Sequence, residues 1–333
     1  MSDNNLLDVL TREGVLITVS VRYWRAAKRL KAEDLGLDPK DITDLISLGH
    51  KKLLPREALE KFALIEGRAH SLIDSSTFPF LNGVAHFLPN KKLAEVTGKL
   101  SALETEFHEA HRDFISRYSL LRTQACRDWW DAARKLVKDP SVLVATIEDS
   151  FPAPDKMARY FTFDVNLFQI SVPERLGTDL ITLADQQSIV NARQEAARSA
   201  ADKISQDTDK FVADCVATMR QETAQICNEM LESMKGGKTD GVHQKTLNRL
   251  MTFIDQFKSL NFAGDHELEN MLENARKELL SKTAEDYRDN SRAQGQLRQG
   301  LKQLADTARD MAQANPREIV ERFGQMGIRR MAA

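Results

Sequence analysis

The chain has 333 residues, of which 42% are hydrophobic and 29% charged, and a formal net charge of -2. That length allows two domains and a substantial core. Near-neutrality excludes a global field that would draw the chain to nucleic acid or anionic lipid. Three cysteines, Cys126, Cys215 and Cys227, lack C-x-x-C spacing. They make neither a disulfide framework nor a zinc site, and buried, reduced thiols are expected. Residues 1–10 lack the charged and apolar regions of a signal peptide. No apolar run approaches the ~18 residues of a membrane span. The expectation is a cytoplasmic protein without membrane contact.

The first half mixes strands and helices. Ile17, Val19, Val21 and Tyr23 alternate with polar residues, as in a half-buried strand. Ser47 to Leu54 is a weaker strand candidate. Pro55 to Leu72 carries Leu59, Phe62, Ala63 and Ala69 at helical spacing. Phe78 to Leu88 places β-prone aromatics around Asn82-Gly83, which tolerate positive φ, and predicts a hairpin. From Asn90 to about Lys138, residues Leu93 to Trp129 recur by threes, fours and sevens, with one step of eight. The spacing predicts one long helix or two collinear pieces. Asp139-Pro140 caps a short helix to about Asp149, and residues 151–154 form a rigid connector. Phe161, Phe163, Val165 and Leu167 predict a further strand. Together the strands predict one small antiparallel sheet, since a lone hairpin is marginal in water.

Between Pro173 and Pro316 there is no proline, which permits long helices. A stripe from Ala197 to Met230 predicts a helix over about 178–234. Glycines at 236, 237 and 241 end it. A shorter helix carries Leu247, Leu250, Ile254 and Phe257, and Gly264 ends that one. A third is predicted from Asp265 to about Ala314. Its Leu297, Leu301, Leu304, Ala308 and Met311 are spaced 4-3-4-3, a coiled-coil seam. Asn315-Pro316 caps a last short helix. The predicted fold is α+β and mostly helical. A small antiparallel sheet with long helices occupies 1–175, and an antiparallel helical coiled coil occupies 176–333. The stripes need a partner surface, supplied by fold-back at the glycines or by a second copy in a homo-oligomer.

No motif states a catalytic activity. No Walker A loop, G-x-G-x-x-G after a strand, G-x-S-x-G or Cys/His zinc set occurs. Gly236-Gly237-Lys238-Thr239 lacks the earlier glycine and the strand of a phosphate loop. Glu104, His108 and His111 share a helix face at metal-ligand spacing. A solvated polar face is the simpler reading, and no catalytic, cofactor or metal residue is expected. Arg22, Arg25, Lys28, Arg29 and Lys31, with Tyr23 and Trp24 among them, make a basic patch with aromatics, able to meet phosphates or an acidic protein. Glu33, Asp34, Asp38 and Asp41 follow at once, so a solvated strand-to-helix junction competes with that reading. Trp129 and Trp130 point about 100° apart on a helix. At most one lies fully on the core stripe, and the other is an interface candidate.

Several ordered blocks carry a family resemblance. They are residues 24–30, 48–55 with Leu59 and Phe62, 80–89, then Phe107 and Phe114 to Tyr118. Over about 15–135 the chain resembles domain-of-unknown-function family 3150 of bacteria, phages and mobile elements. The family has no established activity, so no functional residues carry over. Its members tend to be encoded beside a MoxR-type AAA+ ATPase and a von Willebrand factor A protein. The resemblance therefore implies a non-enzymatic structural or adaptor protein with those two as partners. The alternatives are a nucleic-acid-associated protein of phage or plasmid DNA processing and, more weakly, a membrane-attacking helical protein. The acidic helices and the lack of an apolar hairpin argue against the last.

Overall fold

The computed structural model describes residues 10–35, 37–38, 47–81, 83–169, 186–235, 242–288 and 290–313, with 318, 321 and 322. The strands are β1 (Gly14–Arg22), β2 (Ala27–Arg29), β3 (His50–Lys52), β4 (Phe78–Phe80), β5 (Ala85–Pro89) and β6 (Thr162–Phe168). The helices are α1 (Glu60–Ser76), α2 (Asn90–Leu136), α3 (Pro140–Asp149), α4 (Pro154–Met157), α5 (Gln186–Ser233), α6 (Gln244–Leu260), α7 (His266–Leu279), α8 (Ala284–Arg288) and α9 (Ser291–Ala312). The fold is mostly helical α+β with a small antiparallel sheet.

The sheet runs β4-β5-β1-β6, and β2 and β3 form a separate two-stranded ribbon. β1 meets β5 antiparallel from Gly14↔Pro89 to Ile17↔His86. Gly14 is required there: a Cβ would lie 2.4 Å from the Leu88 carbonyl oxygen. Leu16 and Ile17 are both buried. Successive strand residues point to opposite faces, so this part of β1 is covered on both sides, while further along, where the residues alternate, Val21 and Tyr23 are buried and Arg22 is exposed. β4 and β5 join through residues 81–84, a loop of four, with Gly83 at φ 83°.

The residues fall into two compact units. One comprises Met1–Ile17, Ser76–Ala94 and Leu167–Ala333, the other Thr18–Ser75 and Glu95–Asn166. This partition differs from a division at 175/176, because the β4–β5 hairpin belongs with the C-terminal helices. The reason is aromatic. Phe80 and Phe87 pack on Phe211 at 4.8 and 5.5 Å between centroids. Phe78 and Phe87 pack on Phe262 at 5.4 and 4.7 Å. Each such pair adds about 0.5–1.5 kcal/mol beyond the burial itself.

In this helical unit α5 and α9 run antiparallel. Arg298, early in α9, donates to the Met234 carbonyl, and Arg220, earlier in α5, donates to Met311 at the end of α9. Leu297, Leu301, Leu304 and Ala308 are buried, as the heptad spacing requires. Their core also includes α6 and α7, so it is wider than a two-stranded seam. α6 and α7 fold back across Gly264, at φ 70°, and are tied by Arg276–Asp255 at 2.6 Å. Arg220 bonds Asp265 at 2.7 Å with both side chains nearly sealed. Asp265 also caps α7 at Leu268 and takes Asn261 as a partner, and Asn261 reaches Glu269.

The helix predicted over 265–314 is three pieces. Thr283 and Asp286 bond each other reciprocally, backbone to side chain, and restart the chain as α8. Asn290 accepts from the Ala293 N–H and starts α9. Such caps satisfy the amides that a helix start leaves open. The expected turn at 236–241 lies outside the described residues, as does most of the short helix after Asn315, of which residues 318, 321 and 322 are described and helical.

The second unit is built on aromatic rings. Phe62 of α1 meets Phe107, Phe114 and Phe161 at 5.4, 6.0 and 4.9 Å, and stacks on Tyr23 at 5.5 Å. α2 is one helix of 47 residues and presents Val96, Leu100, Leu103, Phe107, Phe114 and Tyr118 inward. The Tyr118 hydroxyl donates to the Pro152 carbonyl at 2.7 Å, which fixes the connector after α3. Burial pushes that phenol up to about 12. Asp139 caps α3 by accepting from the Ser141 N–H, and Pro140 fills the first helical position.

Candidate interaction surface

The basic cluster near the N-terminus does not stay together. Ala26, buried and at φ 47°, turns the chain between its two halves. A left-handed alanine costs about 1–2 kcal/mol. The turn is held by its carbonyl, which accepts from the Leu53 N–H at 2.6 Å. On the first side, Trp24 is buried against Tyr118 and Phe151. It belongs to the core, and its candidacy as a partner contact is corrected on that ground. Arg25 grips Glu66 through both guanidinium nitrogens, at 2.6 and 2.9 Å, and lies over the Tyr23 ring. The Glu66 bonds raise the Arg25 pKa. Arg25 therefore braces β1 against α1. Arg22 is exposed and donates to Ser20.

The second half of the cluster is a strand, not the expected strand-to-helix junction. β2 pairs antiparallel with β3 as Ala27↔Lys52, Lys28↔Lys51 and Arg29↔His50. The bonds Leu30 N–H to Gly49 and Leu53 N–H to Ala26 extend the ladder at both ends. Directly opposed residues share a face. Lys51 faces inward, where it pairs with Asp34 at 2.8 Å, each side chain only 4% exposed. Asp34 also accepts from the Lys31 N–H. The other face holds Ala27, Arg29, His50 and Lys52, all exposed. Lys28, across from Lys51, is exposed too. Among the described residues no ion pair engages Lys28, Arg29 or Lys52.

Trp129 and Trp130 divide as the helix geometry requires. Trp129 is half-buried, and its indole N–H donates to the Lys52 carbonyl at 3.0 Å, pinning β3 to the end of α2. Trp130 is 38% exposed, with Arg134 beside its ring. Leu136 at the end of α2 and Val142 in α3 are also exposed, at 63% and 58%. Sequence reasoning passed over His50, Lys52, Leu136 and Val142. The strand candidate at 47–54 contained the first two, but its pairing with β2 is a contact across twenty residues with no local signal.

The histidine constellation is not assembled. His108 sits 3.8 Å from Glu104 on the exposed side of α2. His111 turns away and stacks on Phe161 at 4.8 Å, with Nε2 buried and unpartnered. Burial, and then the neighbouring His108 charge, lower its pKa. Among the described residues no group of three or more metal-ligating side chains converges. No helix there is long and apolar enough to cross a membrane. Cys215 and Cys227 are buried in the helical unit, where desolvation raises both thiols, the second to about 12.

A mostly helical α+β protein with a basic ribbon and an exposed tryptophan is the class these features define. The family model described as a protein of unknown function (DUF3150) matches residues 11–210, and the chain belongs to that family. No curated protein and no solved structure matches it.

Proposed function

We propose that the chain is a non-enzymatic interaction protein. In this reading it is a cytoplasmic adaptor of a phage- or mobile-element-associated system built on a MoxR-type AAA+ ATPase and a von Willebrand factor A protein. The observation that carries this reading is the exposure of Trp130, with Leu136 and Val142 also left in solvent near the α2–α3 junction. A partly exposed tryptophan on a well-packed helix, with an arginine beside its ring, has the composition of a binding hot spot. Trp129 holds the backbone beneath it, so little ordering is needed on binding. The test is binding of the full chain to a purified MoxR-type AAA+ ATPase and a purified von Willebrand factor A protein from the same genome. Trp130→Ala with Leu136→Ser is expected to weaken capture while leaving the fold intact. A second reading, nucleic-acid association, is favoured by one observation, the unpaired cations on the ribbon.

A further inference from the structure

We propose that the outer face of the β2–β3 ribbon, with Arg29, His50 and Lys52, is a contact site for the phosphate backbone of duplex DNA. This rests on the second reading and is independent of the Trp130 surface. Three observations support it.

The first is electrostatic. Arg29 lies directly across from His50, and Lys52 is two residues further along the same strand and face. Arg29 and Lys52 are therefore diagonal neighbours on one face, and like charges that close repel, as do the directly opposed Lys28 and Lys51. On the inner face that cost is relieved, because Lys51 is neutralised by Asp34 at 2.8 Å. On the outer face no described carboxylate relieves it. A polyanion would.

The second is rigidity. The ribbon is fastened from below by the sealed Lys51–Asp34 pair and along one strand by the Trp129 indole on the Lys52 carbonyl. Its cations are thus presented at fixed spacing. Cation spacing on a mobile loop would have to be ordered on binding at an entropic cost.

The third is shape. A two-stranded antiparallel ribbon is of a size that the major groove of B-DNA admits. An acidic protein surface would meet the same charges, but it offers no regular row of anions to a row of cations. Contacts of this kind position the protein without reading sequence.

The experiment is fluorescence anisotropy of a labelled duplex of about 30 base pairs, with the full chain, from 0.05 to 0.2 M salt. Each neutralised phosphate contributes about 0.9 to the slope of log affinity against log salt. Arg29→Gln with Lys52→Gln should weaken binding about tenfold at the low-salt end and reduce the slope by about two. Arg68→Gln with Lys99→Gln removes the same charge elsewhere in the unit and should change neither. Trp130→Ala should also leave DNA binding unchanged, which keeps this test separate from the adaptor test. The exposed ribbon cations Lys28, Arg29 and Lys52 can also be tested singly, so a double variant that misfolds does not end the inquiry. No duplex binding at 0.05 M salt, an unchanged slope, or displacement of DNA by poly-glutamate at equal charge would overturn the proposal.

Discussion

The two units bury aromatic rings for different ends. In the helical unit, Phe78, Phe80 and Phe87 of a hairpin cover Phe211 and Phe262 of the helices. The rings there close a bundle whose remaining core is largely aliphatic, with Met219, Met230 and Met234 beside Phe253, Phe257 and Tyr287. In the other unit the rings are the core, centred on Phe62, and α1, α2 and β6 are arranged around them. That second unit also carries the features suited to recognition: the unpaired ribbon cations, Trp130 and the apolar end of α2. The lesson is that sequence continuity is a poor guide to which surface an element serves. A hairpin encoded in the first half completes the core of the C-terminal helices.

The largest effects should come from the rings. Phe62→Ala and Phe211→Ala should each cost about 3–5 kcal/mol. All three tryptophans, Trp24, Trp129 and Trp130, lie in the second unit. Tryptophan emission should therefore follow Phe62→Ala closely, while loss of amide protection in α5 to α7 should follow Phe211→Ala. Equal loss of protection everywhere for both variants would mean that the two cores act as one cooperative body.

Next in size is the sealed polar network of the helical unit. Arg220→Met leaves Asp265 without its cation and strips a donor from Met311, an expected loss of about 3–5 kcal/mol. Adding Asp265→Asn, which keeps the cap on α7, should recover part of that loss in denaturant melts. A double variant no better than the single would show that the ion pair is not the source of the cost.

Much of this fold was legible and some was not, for definable reasons. Periodicity located β1, β6, α2 and α6: the helices bury a face along their own length, while β6 buries Phe163 and leaves Leu167 exposed. Asp139-Pro140 and Gly264 marked boundaries because cap and turn chemistry is local. The breaks at 280–290 were written in the sequence as Thr283 with Asp286 and as Asn290, but an apolar repeat on both sides masked them. The ribbon was hidden for another reason: β2 reads as a charged junction until β3 pairs with it. The cluster around Arg25 was visible as charge, yet only Glu66, on another element, shows that this arginine is already spent.

The smallest effect concerns His111. An unfolded imidazole titrates near 6.5, and burial in the second unit lowers that value. The folded state thus binds fewer protons than the unfolded one in this range. Stability from the neutral ring is complete above about 6.5 and falls as pH drops through it toward the lower folded value. His111→Phe should flatten the decline between pH 7.5 and 5 in denaturant midpoints that report the second unit. An unchanged slope would assign the acid sensitivity to other groups.

The most direct test of the adaptor reading is a binding titration of the full chain against the purified MoxR-type AAA+ ATPase and the von Willebrand factor A protein. The account predicts saturable binding to at least one of them. Trp130→Ala with Leu136→Ser should weaken it by about 2 kcal/mol or more, roughly thirtyfold, with folding stability changed by no more than about 0.5 kcal/mol. Binding of equal strength by wild type and variant, or no binding to either protein, would contradict it.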